Sequence, residues 1–227
     1  MTQPRLDAIF PTCVYSCQLD HTLYQTDIDI AINGYMFNRQ DGIQGEYLGL
    51  ADMHLNPVLQ NFYKAIADNA RIYTDALGIN NTLFDYYMVK SCLSKHSYND
   101  DSMGRHVHNC SDISFVYYYQ VPVHSAALMF HDDNKANELF GGQFARERDR
   151  KMLTENNPFN ATEWYIKPEK GLLVMFPGKL PHSTRKLTDK PFTGERIAIV
   201  GDINLVLKPE QNNWETGRVS LDKWLPV

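Results

Sequence analysis

The chain has 227 residues, 43% of them hydrophobic and 22% charged, with a formal net charge of -5 at pH 7. That length suffices for one well-cored domain, and the composition is ordinary for a globular protein, which excludes large-scale disorder. The acidic balance leaves no broad basic face for a phosphate backbone, and no apolar run approaches the roughly 20 residues that span a bilayer.

Only one local run, Arg146, Arg148, Arg150 and Lys151, is basic. A solvated face accounts for it, so nucleic acid is disfavoured as a partner. The opening MTQPRLDAIF lacks the apolar core and cleavage site of a signal peptide. Cys13, Cys17, Cys92 and Cys110 form no CxxC pair and have no histidine at zinc-finger spacing. Cys13 and Cys17 are expected to be buried thiols, and a reducing, cytoplasmic compartment is the simplest assignment.

In chain order, residues 8–17 (AIFPTCVYSC) read as an opening strand interrupted at Pro11. The clearest helix runs from Asn56 to Leu77. Asn56 can cap it, Pro57 suits the first turn, apolar residues recur at Val58, Leu59, Phe62, Ile66, Ala70 and Tyr73, and Gly78 stops it. Beyond Asn80 come six runs rich in β-branched and aromatic residues: 83–93, 113–122, 126–131, 162–168, 171–177 and 195–207. One helix followed by strand after strand predicts a mainly β domain, a sandwich or open barrel with flanking helices, rather than alternating βαβ units. Residues 132–161 form a long polar insertion, expected to be a lid with Phe140, Gly141, Gly142 and Phe144 as its apolar hinge. The tail after Lys208 carries Trp214 and Trp224, which would pack back over the domain or serve a homodimer contact.

Among the eight histidines, His21, His54, His124 and His131 stand alone in polar or turn contexts, and His96 lies just upstream of the informative segment, RHVHNCSD (105–112). His106 and His108 are two apart, so on extended chain both rings project to one face. Two neutral imidazoles on one face can bind an iron, zinc or copper ion. A pair of surface histidines at a strand end is the other reading. The stretch GLLVMFPGKLPHSTRK (171–186) then supplies a buried strand, a turn, and His182 in an exposed-looking position. A third histidine from a separate strand completes a facial triad, leaving three positions open for a cosubstrate and O2. Arg196 opens the apolar strand that follows. An inward guanidinium is explained by a carboxylate gripped in its planar fork, or by a salt bridge to Glu195 or Asp202.

The order HVHN, ISFVYYYQVP, GLLVMFPGKLPH and GERIAIVGDINL resembles the 2-oxoglutarate/Fe(II) oxygenases of the prolyl-hydroxylase-like superfamily, and most of all a bacterial and phage group with an HxH motif. The resemblance runs from about residue 8 to residue 207. It implies a double-stranded β-helix (jelly-roll) core, Fe(II), and 2-oxoglutarate converted to succinate and CO2 as an unidentified small-molecule or peptide substrate is hydroxylated. By position it implies His106 and His182 as metal ligands, Arg196 on the far carboxylate of 2-oxoglutarate, and Tyr118 beside it; core packing is the other role for Tyr118. The departure is His108, which stands where the wider superfamily has aspartate. Three options stay open for the third ligand: His108, Asp112, or neither. Two other functions stay open as well, a cupin-like three-histidine dioxygenase without 2-oxoglutarate and a non-catalytic jelly-roll binding module.

Overall fold

A computed structural model describes residues 8–33, 38–39, 46–48, 52–98, 103–144, 153–155 and 157–211. The first strand, β1 (Tyr15–Gln18), begins later than the sequence suggests. Phe10 has a positive φ of 57°, Pro11 offers no N–H to a ladder, and residues 8–13 are exposed. Cys13 is therefore exposed and Cys17 only half-buried, against the expectation of two buried thiols.

Two helices follow. The first, α1 (Gln25–Asn33), went unread in the sequence and buries Ile28 and Ala31. The second, α2 (Gln60–Ala76), follows a 3-10 turn over Pro57–Leu59 whose cap is Asn56, its side chain accepting from the Val58 amide at 3.0 Å. At the far end the Ile79 amide donates to the Thr74 carbonyl and the Gly78 amide to that of Asp75. This Schellman closure needs a left-handed residue, supplied by Gly78 at φ 76°. No helix among the described residues is long and apolar enough to cross a membrane.

The remaining strands are β2 (Asn38–Arg39), β3 (Glu46–Leu48), β4 (Phe84–His96), β5 (Ile113–Gln120), β6 (Ala127–His131), β7 (Glu163–Ile166), β8 (Leu172–Pro177), β9 (His182–Arg185) and β10 (Arg196–Leu207). All six runs marked in the sequence are strands; β2, β3 and β9 are the additions, and β9 is a short, mostly polar strand with no sequence signature. A seven-stranded sheet has the order β1-β8-β5-β10-β4-β3-β2, and a three-stranded sheet the order β7-β6-β9. The described strand pairings are antiparallel. Residues 103–108 extend the small sheet: His106 and His182 exchange backbone hydrogen bonds at 3.0 Å, and the Thr184 amide donates to the Met103 carbonyl. Two facing four-strand layers, β8-β5-β10-β4 and β7-β6-β9 with 103–108, make the expected jelly roll.

Alternation along the strands separates two cores. One face of the large sheet carries Phe115, Tyr117, Leu173, Met175, Ile197 and Ile199 against α2, where Phe62 meets Tyr117 with ring centroids 5.0 Å apart. The other face carries Tyr118, Val174, Phe176 and Ala198 into the space between the sheets, where Leu128 and Phe130 of the small sheet meet them. The basic run Arg146–Lys151 and the tail with Trp214 and Trp224 lie outside the described residues, as does part of the insertion 132–161.

Candidate metal centre

Where the small sheet is extended by residues 103–108, three histidines converge. His106 and His108 come from that segment, two residues apart and on one side as extended chain requires; their ring centroids are 5.2 Å apart. His182 opens β9, with its ring centroid 4.3 Å from that of His106 and 5.1 Å from that of His108. It is buried, not exposed as the preceding turn suggested, because the turn carries it under the segment and against the Phe176 ring at 4.7 Å. The turn itself depends on Gly178. Its carbonyl accepts from the His108 amide at 2.8 Å and its amide donates to the Asp112 carbonyl. A Cβ there would lie 2.4 Å from the Ser111 carbonyl oxygen, so no side chain fits beneath the 108–112 loop.

Each ring already uses one nitrogen. The Nδ1 of His106 donates to the Gly104 carbonyl at 2.8 Å, and that of His182 to the Leu180 carbonyl at 2.9 Å. The Nδ1 of His108 donates to the Asp202 carboxylate at 2.6 Å. Carbonyl and carboxylate oxygens only accept, so each Nδ1 carries a proton and Nε2 is the nitrogen left to face a metal ion. Burial lowers the pKa of His106 and pushes that of His182 down to about 4, so both are neutral ligands near pH 7. Among the described residues, these three are the group of His, Cys, Asp and Glu whose ligating atoms lie within 4.8 Å of one another. Three pre-oriented nitrogen donors fit a divalent transition-metal ion.

The other residues singled out in the sequence fall on either side of this cluster. Asp112 is outside it: one carboxylate oxygen accepts from the Leu205 amide at 2.9 Å, tying the loop to β10. Arg196 is buried at the start of β10, opposite His96 of β4, with Nη1 donating to the Ala126 carbonyl at 3.2 Å. The two acids weighed as its partners are engaged elsewhere, Glu195 with Lys95 and Asp202 with His108. Tyr118 of β5 is fully buried between the sheets; burial raises its phenol pKa, and the charge of Arg196 opposes that rise. A cavity of about 630 Å³ lined by Val121, His124, Tyr165 and Lys167, among others, includes none of these residues.

Two participants, Asp202 and Ser114, were not assigned to the site from sequence. Asp202 is buried and accepts from His108 and from the Ser114 hydroxyl at 2.8 Å. Burial alone would raise its carboxyl, but the hydrogen bond and charge of His108 and the hydroxyls of Ser114 and Ser111 outweigh it and hold the pKa below the ordinary value. The signal available was parity: Asp202 lies six residues after Arg196 on one strand, an even separation that puts both on the inner face.

Residues 93–202 match the family described as "Putative 2OG-Fe(II) oxygenase". No curated protein matches the chain. Three solved structures share the fold at low identity. An oxidoreductase of the 2OG-Fe(II) oxygenase family from Burkholderia pseudomallei is 10% identical with a TM-score of 0.57, covering 84% of each chain. HygX from Streptomyces hygroscopicus, with nickel and 2-oxoglutarate bound, is 10% identical with a TM-score of 0.53, covering 85% of this chain and 83% of that one. A prolyl hydroxylase from Trichoplax adhaerens, in complex with a hypoxia-inducible-factor peptide, is 12% identical with a TM-score of 0.52, covering 87% and 85%.

Proposed function

We propose that the chain is a 2OG-Fe(II) oxygenase, the family that residues 93–202 match, in which His106, His108 and His182 hold Fe(II) while Arg196 and Tyr118 hold 2-oxoglutarate. The observation that carries this is the set of three buried or half-buried imidazoles whose Nδ1 atoms are all committed, with the ligating atoms of the three rings within 4.8 Å. When bound, Fe(II) and 2-oxoglutarate supply oxidative decarboxylation to succinate and CO2 and the oxidation of a substrate C–H bond, with hydroxylation as the product class.

The chain's own part is to bind, orient and keep water out. The backbone carbonyls of Gly104 and Leu180 fix two rings, and Asp202 fixes the third. Arg196, inside the sandwich, offers a planar fork matched to a carboxylate, and Tyr118 a phenol beside it. Phe130, Val174 and Phe176 keep the intersheet space apolar, which strengthens each polar contact made there. We assign the insertion 132–161 as a lid. Arg105, next to His106, is bonded to Asp133, which ties the start of the insertion to the rim of the histidine cluster.

The substrate is proposed to be a small molecule or a peptide. The apolar space between the sheets suits either, and HygX binds 2-oxoglutarate while the Trichoplax enzyme binds a peptide. A cytoplasmic setting is supported by four free thiols. Anaerobic titration with Fe(II) and then 2-oxoglutarate tests the reading: a weak visible charge-transfer band and succinate release under air are expected. Neither band nor succinate would overturn it. A band-free iron site that consumed O2 without 2-oxoglutarate would favour the three-histidine dioxygenase instead.

A further inference from the structure

The three Nδ1 partners are not alike. His106 and His182 donate to neutral backbone carbonyls, and His108 donates to a carboxylate. Asp202 is buried, and its other described partners are hydroxyls: Ser114 at 2.8 Å, with Ser111 behind. A buried carboxylate among neutral groups is unfavourable unless a cation compensates it. The three imidazoles in front of it, as nitrogen ligands, bring no negative charge to offset that of a dication. The two requirements meet across a single imidazole.

We propose that Asp202 is the positioning and charge-compensating residue of the metal centre, its carboxylate set on the Nδ1 side of His108 so that an all-imidazole ligand set gains a negative charge one ring away. The inference rests on the metal site described above and deepens it. It assigns to Asp202 a role that a plain His–Asp pair would not have. Ser114 belongs to the same device, since its hydroxyl lies 3.0 Å from His108 Nδ1 and donates to Asp202 Oδ1.

The test separates charge from geometry. Metal-free protein is titrated with Mn(II), free ion being read by electron paramagnetic resonance, and folding is checked by circular dichroism. Asp202→Asn keeps an acceptor for His108 but removes the charge; it is expected to weaken Mn(II) binding by about 10- to 100-fold, the range typical of outer-sphere partners. The double variant His108→Asp with Asp202→Asn restores one carboxylate near the ion and is expected to recover most of the lost affinity. Asp202→Asn binding Mn(II) within about twofold of the parent would overturn the inference while leaving the metal site standing. Failure of the parent protein to bind Mn(II) would remove both. Should Asp202→Asn not fold, the unmutated protein loaded with Zn(II) still decides. Nitrogen-15 imidazole spectra are expected to show the Nδ1–H of His108 well downfield of those of His106 and His182; three equivalent positions would overturn the proposal.

Discussion

At the scale of single residues, what decides the chemistry is how each group is held rather than which group it is. The three imidazoles present Nε2 because Nδ1 is already engaged, a constraint set by Gly104, Leu180 and Asp202. The same logic bears on the cosubstrate. Arg196→Lys keeps a positive charge but loses the planar fork, so the proposed grip should weaken by about 1.5–3 kcal/mol, the worth of a charged hydrogen bond. That reads as a roughly 10- to 100-fold rise in KM for 2-oxoglutarate with a smaller change in kcat. Tyr118→Phe removes one hydroxyl and leaves the ring in its core, so a rise of about fivefold in the same KM is expected, corresponding to ~1 kcal/mol. If both variants left that KM unchanged, Arg196 and Tyr118 would be core residues only. Part of this scale was legible in the sequence. The His106–His108 spacing, His182 and Arg196 all stood out there. Asp202 did not, because its partner lies 94 residues away in the chain and only the fold brings the two together.

At the scale of elements, local chemistry was legible and long-range chemistry was not. Helix α2 announced itself because Asn56 and Gly78 act within a few residues of themselves. Helix α1 did not: Ile28, Ile30 and Ile32 recur at a spacing of two, which mimics a strand, while the helix buries Ile28 and Ala31. Strand β9 is four mostly polar residues, and pairing with β6, not its own composition, makes it a strand. The turn between β8 and β9 carries the most exacting contact, Gly178 under the 108–112 loop. Gly178→Ala would drive a methyl group to 2.4 Å from the Ser111 carbonyl, an overpacking that costs typically about 1–3 kcal/mol. The expected result is a Tm lower by several degrees, together with weaker divalent-metal binding as His108 is displaced. Gly141→Ala, where a Cβ meets nothing within 4 Å, should leave Tm nearly unchanged. Equal Tm values for the two variants would show that the loop does not rest on that glycine.

At the scale of the molecule, the two sheets are joined by their side chains, and the site lies across that joint. The small sheet and its extension carry all three histidines, while the large sheet carries Tyr118, Arg196 and Asp202. A metal ion held by the three histidines would fasten the small-sheet end and reach the large sheet through the His108–Asp202 bond and the packing of His182 on Phe176. A dicarboxylate held at one end by the metal and at the other by Arg196 would clasp the two sheets directly. This predicts stepwise stabilisation. Mn(II) at a hundred times its Kd adds about 2.7 kcal/mol to the unfolding free energy. For a chain of this size that corresponds to a rise in Tm of roughly 5–10 °C. Adding 2-oxoglutarate to the Mn(II)-loaded protein should raise Tm again, whereas 2-oxoglutarate without metal should do little, because only one end is then held. In Arg196→Met the Mn(II) step should persist and the 2-oxoglutarate step vanish. Thermal unfolding followed by circular dichroism measures both. An undiminished second step in that variant would mean that the cosubstrate's far carboxylate is gripped by another residue, and the clasp between the sheets would have to be sought elsewhere on their inner faces.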